Sequence, residues 1–162
     1  MQGELFPYSN QIAARPRKER SYTELIFPQL SREELQPLSS LALAHVGDGI
    51  YELLARTYVV RHGGNLARQM HRKTVELVCA AAQARAARII APLLEPEEAE
   101  VFRRGRNSHP HTVPKNQKPE DYALATGVEA LFGWLYLNGR QHRVCQLFER
   151  IVEEEEKGRN AQ

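Results

Sequence analysis

Residues 39–64 read SSLALAHVGDGIYELLARTYVVRHGG, and the fold class turns on how this stretch is built. It holds no proline, and its apolar residues recur at helical rather than alternating spacing. Ser39 can cap the first turn, and the Gly63-Gly64 pair is a C-terminal stop, so the pattern predicts a helix from about 39 to 61. Two glycines, Gly47 and Gly49, flank Asp48 in its interior. Each costs about 0.5–1 kcal/mol relative to alanine in such a place, which calls for a packing or access reason.

Working outward, the same period continues. Residues 1–38, with Pro7, Pro16, Pro28 and Pro37, read as an irregular lead-in whose one local signal is the Ser31/Glu34 capping box. Asn65 can cap a helix predicted to run to about Ala91, with Leu66, Met70, Val75, Val78, Cys79, Ala82, Ala86, Ile89 and Ile90 on its apolar face. Pro92 and Pro96 break it. A short helix from 97 to 104 follows, with acids first and arginines last, as the helix dipole favours. Residues 105–119, with three prolines, read as a loop. A helix from 120 to 137 places Leu124, Val128, Leu131 and Leu135 on one stripe. The last, from 141 to 157, buries Val144, Leu147, Phe148, Ile151 and Val152. The expected organisation is an all-α bundle over 39–157, after the lead-in 1–38 and before a short tail, 158–162.

Length and composition narrow the function classes. The chain has 162 residues, 42% hydrophobic and 26% charged, enough for one domain with one core. No apolar run approaches the roughly 18–20 residues that span a bilayer, and residues 1–8 lack the features of a secretory signal. Two cysteines make no disulfide framework or metal pair. The expectation is a soluble cytoplasmic protein with no membrane partner. The net charge of +2 is unevenly laid out: residues 101–119 hold five basic residues and no acid, leaving the remainder net acidic. Arg103, Arg104, Arg106, Lys115 and Lys118 lie there among Asn107, Asn116 and Gln117, a mixture suited to a polyanion backbone. A solvated loop with incidental charge is the plainer alternative.

Two acids interrupt apolar helix patterns. Asp48 is one; Glu129, between Gly127 and Gly133, is the other. Small neighbours let a helix, a metal or a phosphate approach a carboxylate, and a buried carboxylate needs a hydrogen bond, a cation or water. Acids on two facing helices can bind a hard divalent ion. A partly exposed acid paired to an arginine is the alternative for each. His45 and Glu52 share the helix face of Asp48 and could orient it; a packed imidazole and a surface ion pair are the bland readings of these two.

Three motifs together resemble Mini-ribonuclease III, the small bacterial branch of the ribonuclease III family that lacks the appended double-stranded-RNA-binding domain. They are LALAHVGDGIYE at 41–52, RRGRN at 103–107 followed by TVPKN at 112–116, and YALATGVEALFG at 122–133. The resemblance covers about 39–152. It implies a ribonuclease III-type helical bundle in which Asp48 matches the signature aspartate and Glu129 the metal-ligand glutamate. Full-length members carry three further acids where this chain has Leu41, Ala44 and Thr126, a reduction that characterises the Mini-III branch. Thr126 thereby becomes a candidate neighbour of the metal site.

The resemblance further implies Mg2+-dependent hydrolysis of phosphodiester bonds in double-stranded RNA, with a large-subunit (23S) ribosomal RNA precursor as cellular substrate. It implies a homodimer, so that two symmetry-related sites each cut one strand, and a ribosomal protein that could help to present the RNA. Arg103, Arg104, Arg106, Lys115 and Lys118 would grip phosphates, while Asn107, Asn116 and Gln117 reach 2′-hydroxyls in the wide minor groove of A-form RNA. Rival readings are a non-catalytic helical RNA-binding protein of the same fold and a protein–protein adaptor. A zinc enzyme using His109 and His111 lacks the usual ligand spacing.

Overall fold

The structure is a computed structural model and describes residues 23–63, 66–108, 115–116 and 118–161. All regular elements among them are helical: α1 (Thr23–Ile26), α2 (Arg32–Leu35), α3 (Ser40–Arg61), α4 (Ala67–Val78), α5 (Ala80–Ile90), a 3₁₀ turn at Ala91–Leu93, α6 (Pro96–Asn107), α7 (Pro119–Leu137) and α8 (Gln141–Asn160). None is long and apolar enough to cross a membrane.

Helix α7 is the axis of the bundle, with α3, α5, α6 and α8 packed around it. Pro119 occupies its first turn with Glu120 and Asp121, a proline and two acids where a helix start favours them. Beyond that turn it is buried nearly all round: Ala125 to Val128 and Ala130 to Leu135 are all out of water. A helix apolar on every side belongs at a core. The aromatic centre lies where α3, α7 and α8 meet. Tyr51 stands edge-on to Phe148 at 5.4 Å between ring centroids and tilted to Phe132 at 5.3 Å, geometries worth about 0.5–1.5 kcal/mol each beyond the area they bury. Val144, Leu147, Phe148, Ile151 and Val152 close the core from α8.

The caps follow the sequence closely in α3, where Ser39 Oγ accepts from the Ala42 N–H at 3.1 Å. The capping box before α2 also forms, with the Ser31 N–H donating to Glu34 at 2.9 Å. Residues 23–38 carry two short helices and are tied to the bundle. The Leu30 N–H donates to the Leu137 carbonyl, the Tyr136 hydroxyl to the carbonyls of Leu25 and Ile26, and Leu35 is part of the core. Gly139, at φ +74°, turns the chain from α7 into α8, which continues through Asn160, past the expected end at 157.

The single helix expected over 66–91 is two. Cys79 takes an extended conformation (φ −65°, ψ 154°), ending α4 and preceding α5. The break moves the register, so the predicted apolar face divides: Ala82, Ala86 and Ile90 are buried, whereas Leu66, Val75 and Cys79 are exposed and Thr74 and Leu77 face inward instead. Helix α6 starts at Pro96 and runs on to Asn107, so Arg106 and Asn107 lie on a helical end rather than in a loop. The cap expected of Asn65, and the roles expected of Gln117, His109 and His111, lie outside the described residues.

Candidate metal centre and nucleic-acid surface

The two acids meet because two glycines let α3 and α7 cross backbone to backbone. A Cβ on Gly47 would stand 1.7 Å from the Glu129 carbonyl oxygen, and one on Gly133 would stand 1.9 Å from that of Leu43. No side chain fits at either point. Gly47 precedes Asp48 and lies against the backbone of Glu129, so the crossing sets the two acids near enough for the charge of Asp48 to act on Glu129. Gly49 is different: a Cβ there meets nothing within 4 Å. Of the two glycines beside Asp48, one serves packing and the other leaves open space.

Asp48 is exposed and Glu129 half-buried. Burial, and then the negative charge of Asp48, push the Glu129 carboxyl up to about 7, against a hydrogen bond from Gln83 that favours its ionised form. Among the described residues neither acid is in an ion pair, and no group of three or more His, Cys, Asp or Glu side chains is placed to hold a metal. Two carboxyl groups with no cation from the described residues between them form an oxygen-only donor pair. That fits a hard divalent ion which keeps several waters, as Mg2+ does.

The neighbours read as candidate orienting groups have other engagements. Glu52 is held by Arg56, whose Nε donates at 3.0 Å. Thr126 is buried, and its hydroxyl donates at 3.0 Å to the Tyr122 carbonyl one turn back. His45 is exposed one turn before Asp48. The side chain that favours the ionised form of Glu129 is Gln83 on α5, which the sequence reading passed over; its signal is an amide in the otherwise small apolar run Ala80–Ala84.

The basic residues lie along the end of α6 and the start of α7. Arg104 and Arg106 are exposed in the last turn of α6, with Asn107 at its end; Lys115, Asn116 and Lys118 are exposed ahead of α7. Arg103 is already held by Glu100 through two hydrogen bonds of 2.9 and 2.8 Å, so a phosphate has to compete for it. Helix α6 seats on α7 through a second small-residue contact, where Gly105 meets Ala130 and Gly127, and this fixes the arginines relative to Glu129.

One further acid is fully buried, and it was expected only as a first-turn dipole partner. Glu98, in α6, accepts from Arg143 Nε and Nη2 at 2.9 Å each and from the Glu95 N–H at 3.0 Å, with Arg140 at 3.5 Å. Burial pushes its carboxyl up, but these hydrogen bonds and charges prevail and hold it below the ordinary range.

Comparison with known proteins bears on the same segments. The family model of the ribonuclease III domain matches residues 41–140, which include α3, α7 and everything between them. Curated proteins called Mini-ribonuclease 3 are similar over most of their length. The one from Gloeobacter violaceus is 44% identical over 66% of this chain and 78% of its own. The Thermoanaerobacter protein is 40% identical over 76% and 87%, and the Clostridium tetani protein 34% over 76% and 83%. A crystal structure of a Fusobacterium nucleatum protein, 26% identical, superposes with a TM-score of 0.68 over 75% of this chain and 97% of that one. The chain therefore belongs to the ribonuclease III family, in its Mini-ribonuclease III branch.

Proposed function

We propose that this protein is an endoribonuclease that hydrolyses phosphodiester bonds of double-stranded RNA at a Mg2+ ion held between Asp48 and Glu129. The observation that carries this is the α3–α7 crossing that sets Asp48 and Glu129 within electrostatic reach of each other, with no cation among the described residues to neutralise them. Bound there, a divalent cation supplies a water of lowered pKa and neutralises charge developing on the phosphate. Asp48, exposed beside the open space at Gly49, presents its carboxylate where a duplex backbone can reach it. Glu129, backed by the α3–α7 contact, would hold the cation from α7. With two protein ligands, such a cation would leave its remaining positions to waters and RNA oxygens.

Arg104, Arg106, Lys115 and Lys118 bind backbone phosphates in this reading, with Arg103 joining once it leaves Glu100. Asn107, Asn116 and Gln117 reach 2′-hydroxyls and so favour RNA over DNA. The protein acts as a homodimer: α3 and α4, packed on each other, leave Leu53, Val60, Leu66 and Val75 exposed, an apolar surface for a two-fold partner. The substrate is the 23S ribosomal RNA precursor in the cytoplasm, presented with the help of a ribosomal protein.

The test is cleavage of a structured RNA duplex by wild type and Asp48→Asn, each with Mg2+ and with EDTA. Wild type should cut only with Mg2+. Asp48→Asn should bind the duplex and lose turnover by about 10²–10³-fold or more, as when one electrostatic stabiliser is removed from an active site. Equal, negligible cleavage by wild type in both conditions, with duplex binding intact, would establish the non-catalytic RNA-binding protein instead.

A further inference from the structure

Two grooves between helices carry arginines, and they are built differently. Between α5 and α8, Arg85 is closed by Glu155 at 2.8 Å and Arg88 by Asp121 at 3.6 Å. Between α2 and α6 lies a cleft of about 370 Å³, with Arg32 and Gln36 on the α2 side, Arg104 on the α6 side and Asn138 at the end of α7. Within the described residues no hydrogen bond or ion pair engages any of these four side chains. The apolar lining comes from Leu35, Val101 and Trp134, all buried. Of the two acids at the cleft, Glu100 is taken up by Arg103, and Glu97 is exposed and open. Apolar walls with a few converging, unengaged polar groups are what a small-ligand site presents.

The open groups name the ligand. Two guanidiniums suit a phosphate; two amides and a carboxylate suit the donors and acceptors of a base edge; the apolar walls suit the flat face of a base. A duplex is far too wide for this volume, so the nucleotide has to be unpaired, the state in which a base edge is free to be read. Arg104 belongs to two features at once: it lines the cleft, and it stands in the last turn of α6 where the basic residues leading to α7 begin. We infer that the α2–α6 cleft binds one unpaired nucleotide of an RNA strand flanking the duplex, with Arg32 and Arg104 on its phosphate and Gln36, Asn138 and Glu97 on its base. This rests on the reading of the α6–α7 basic residues as the duplex-binding surface. It gives the protein a preference for duplexes that carry a single-stranded extension.

The experiment compares two RNAs, a blunt duplex and the same duplex with three unpaired nucleotides added to one strand end, 5′ or 3′. Binding to the full chain is followed by fluorescence anisotropy in EDTA, which keeps the RNA uncut. Hydrogen bonds to charged groups are worth enough to change affinity about tenfold or more, so wild type should bind one extended RNA about tenfold more tightly than the blunt one. Arg32→Ala, a change at an exposed position, should lose that preference and bind the blunt duplex within about twofold of wild type. A 4-thiouridine in the extension should crosslink to residues 32–36 or 97–104 of the wild-type chain, a readout that needs no variant. Equal affinity of wild type for blunt and extended RNAs, a preference that survives Arg32→Ala, or crosslinks only elsewhere would each overturn the proposal while leaving the duplex reading in place. Failure to bind either RNA at low salt would end both. If Arg32→Ala instead releases an oligoglutamate peptide that wild type binds, and no RNA preference exists, the cleft belongs to a protein partner and the proposal falls.

Discussion

Glu98 and Glu129 are both glutamates withdrawn from bulk water, one at the α6–α8 contact and the other at the α3–α7 crossing. Their surroundings are opposite. Glu98 is wholly enclosed, yet Arg143 bonds both of its oxygens and Arg140 and a backbone N–H add to it, so its carboxyl is held below the ordinary range. Glu129 is less enclosed, faces the charge of Asp48 and is pushed up to about 7. Burial alone therefore says little about what a carboxylate does. Partners decide: the satisfied acid joins helices and stays ionised, and the acid left facing another acid is raised.

The sharpest way to break that comparison is to make the same substitution at both. Glu129→Gln should lower cleavage by about 10²–10³-fold and, in metal-free buffer near pH 8, raise the melting temperature, because the repulsion from Asp48 goes with it. Glu98→Gln should do the reverse. Losing the charge opposite two arginines should cost about 3 kcal/mol, the low end for a buried pair, since Arg143 and Arg140 remain 23% and 31% exposed. Cleavage per folded molecule should stay near wild type. Assays at a temperature where both variants are folded, with melting curves beside them, check the pair. A Glu98→Gln protein that is stable and inactive would reverse the assignment.

The glycine contact carries the next effect. Gly47→Ala places a methyl 1.7 Å from a backbone oxygen that cannot swing aside, so the two helices must separate. The cost should exceed the usual 1–3 kcal/mol of overpacking, about 4 kcal/mol, and lower the melting temperature by about 8–16 °C. A melting curve unchanged from wild type would mean that the crossing is not what holds the carboxylates together.

Much of this was visible in the sequence for physical reasons. Helix periods and proline stops placed α3, α7 and α8 to within a few residues because each is a long run without an interior proline and has an unambiguous start or stop. Asp48 and Glu129 stood out because small residues surround them in apolar helices. Three features escaped. The break at Cys79 has no proline or glycine to announce it, and helical periodicity continues across it. The pairing of Glu98 with Arg143 joins residues 45 apart, a tertiary contact no local pattern encodes. Gln83 became meaningful only once the break had left the Val78 carbonyl to its amide.

A smaller effect follows from the sign of the Glu129 shift. For a carboxyl raised in the folded chain from 4.5 to about 7, the folded state favours the protonated form. That contribution is complete below the unfolded value and is lost as pH rises from about 4.5 towards 7. The metal-free protein should therefore become less stable across that window, and Glu129→Gln should show less of this decline. Below pH 7 a cation must displace the Glu129 proton, so metal affinity should fall by up to about tenfold per pH unit. Melting curves and Mn2+ titrations at stepped pH check both slopes, and a flat Mn2+ affinity between pH 5.5 and 7 would remove Glu129 from the ligand set.

The mildest perturbation is the most discriminating for access. Gly49 lies beside Asp48 in the middle of α3, exposed and with room for a side chain. Alanine there should stabilise the helix by about 0.5–1 kcal/mol, raising the melting temperature by about 1–4 °C. The same change at Gly47, two residues away, unfolds the crossing, so the pair separates packing from openness within one turn. If the open side of α3 is where the duplex backbone meets Asp48, the added methyl stands in the path of the substrate. Gly49→Ala should then cleave RNA more slowly while melting higher, with Mn2+ affinity unaltered. A variant that gains stability and cleaves like wild type would show that the duplex approaches Asp48 from another side.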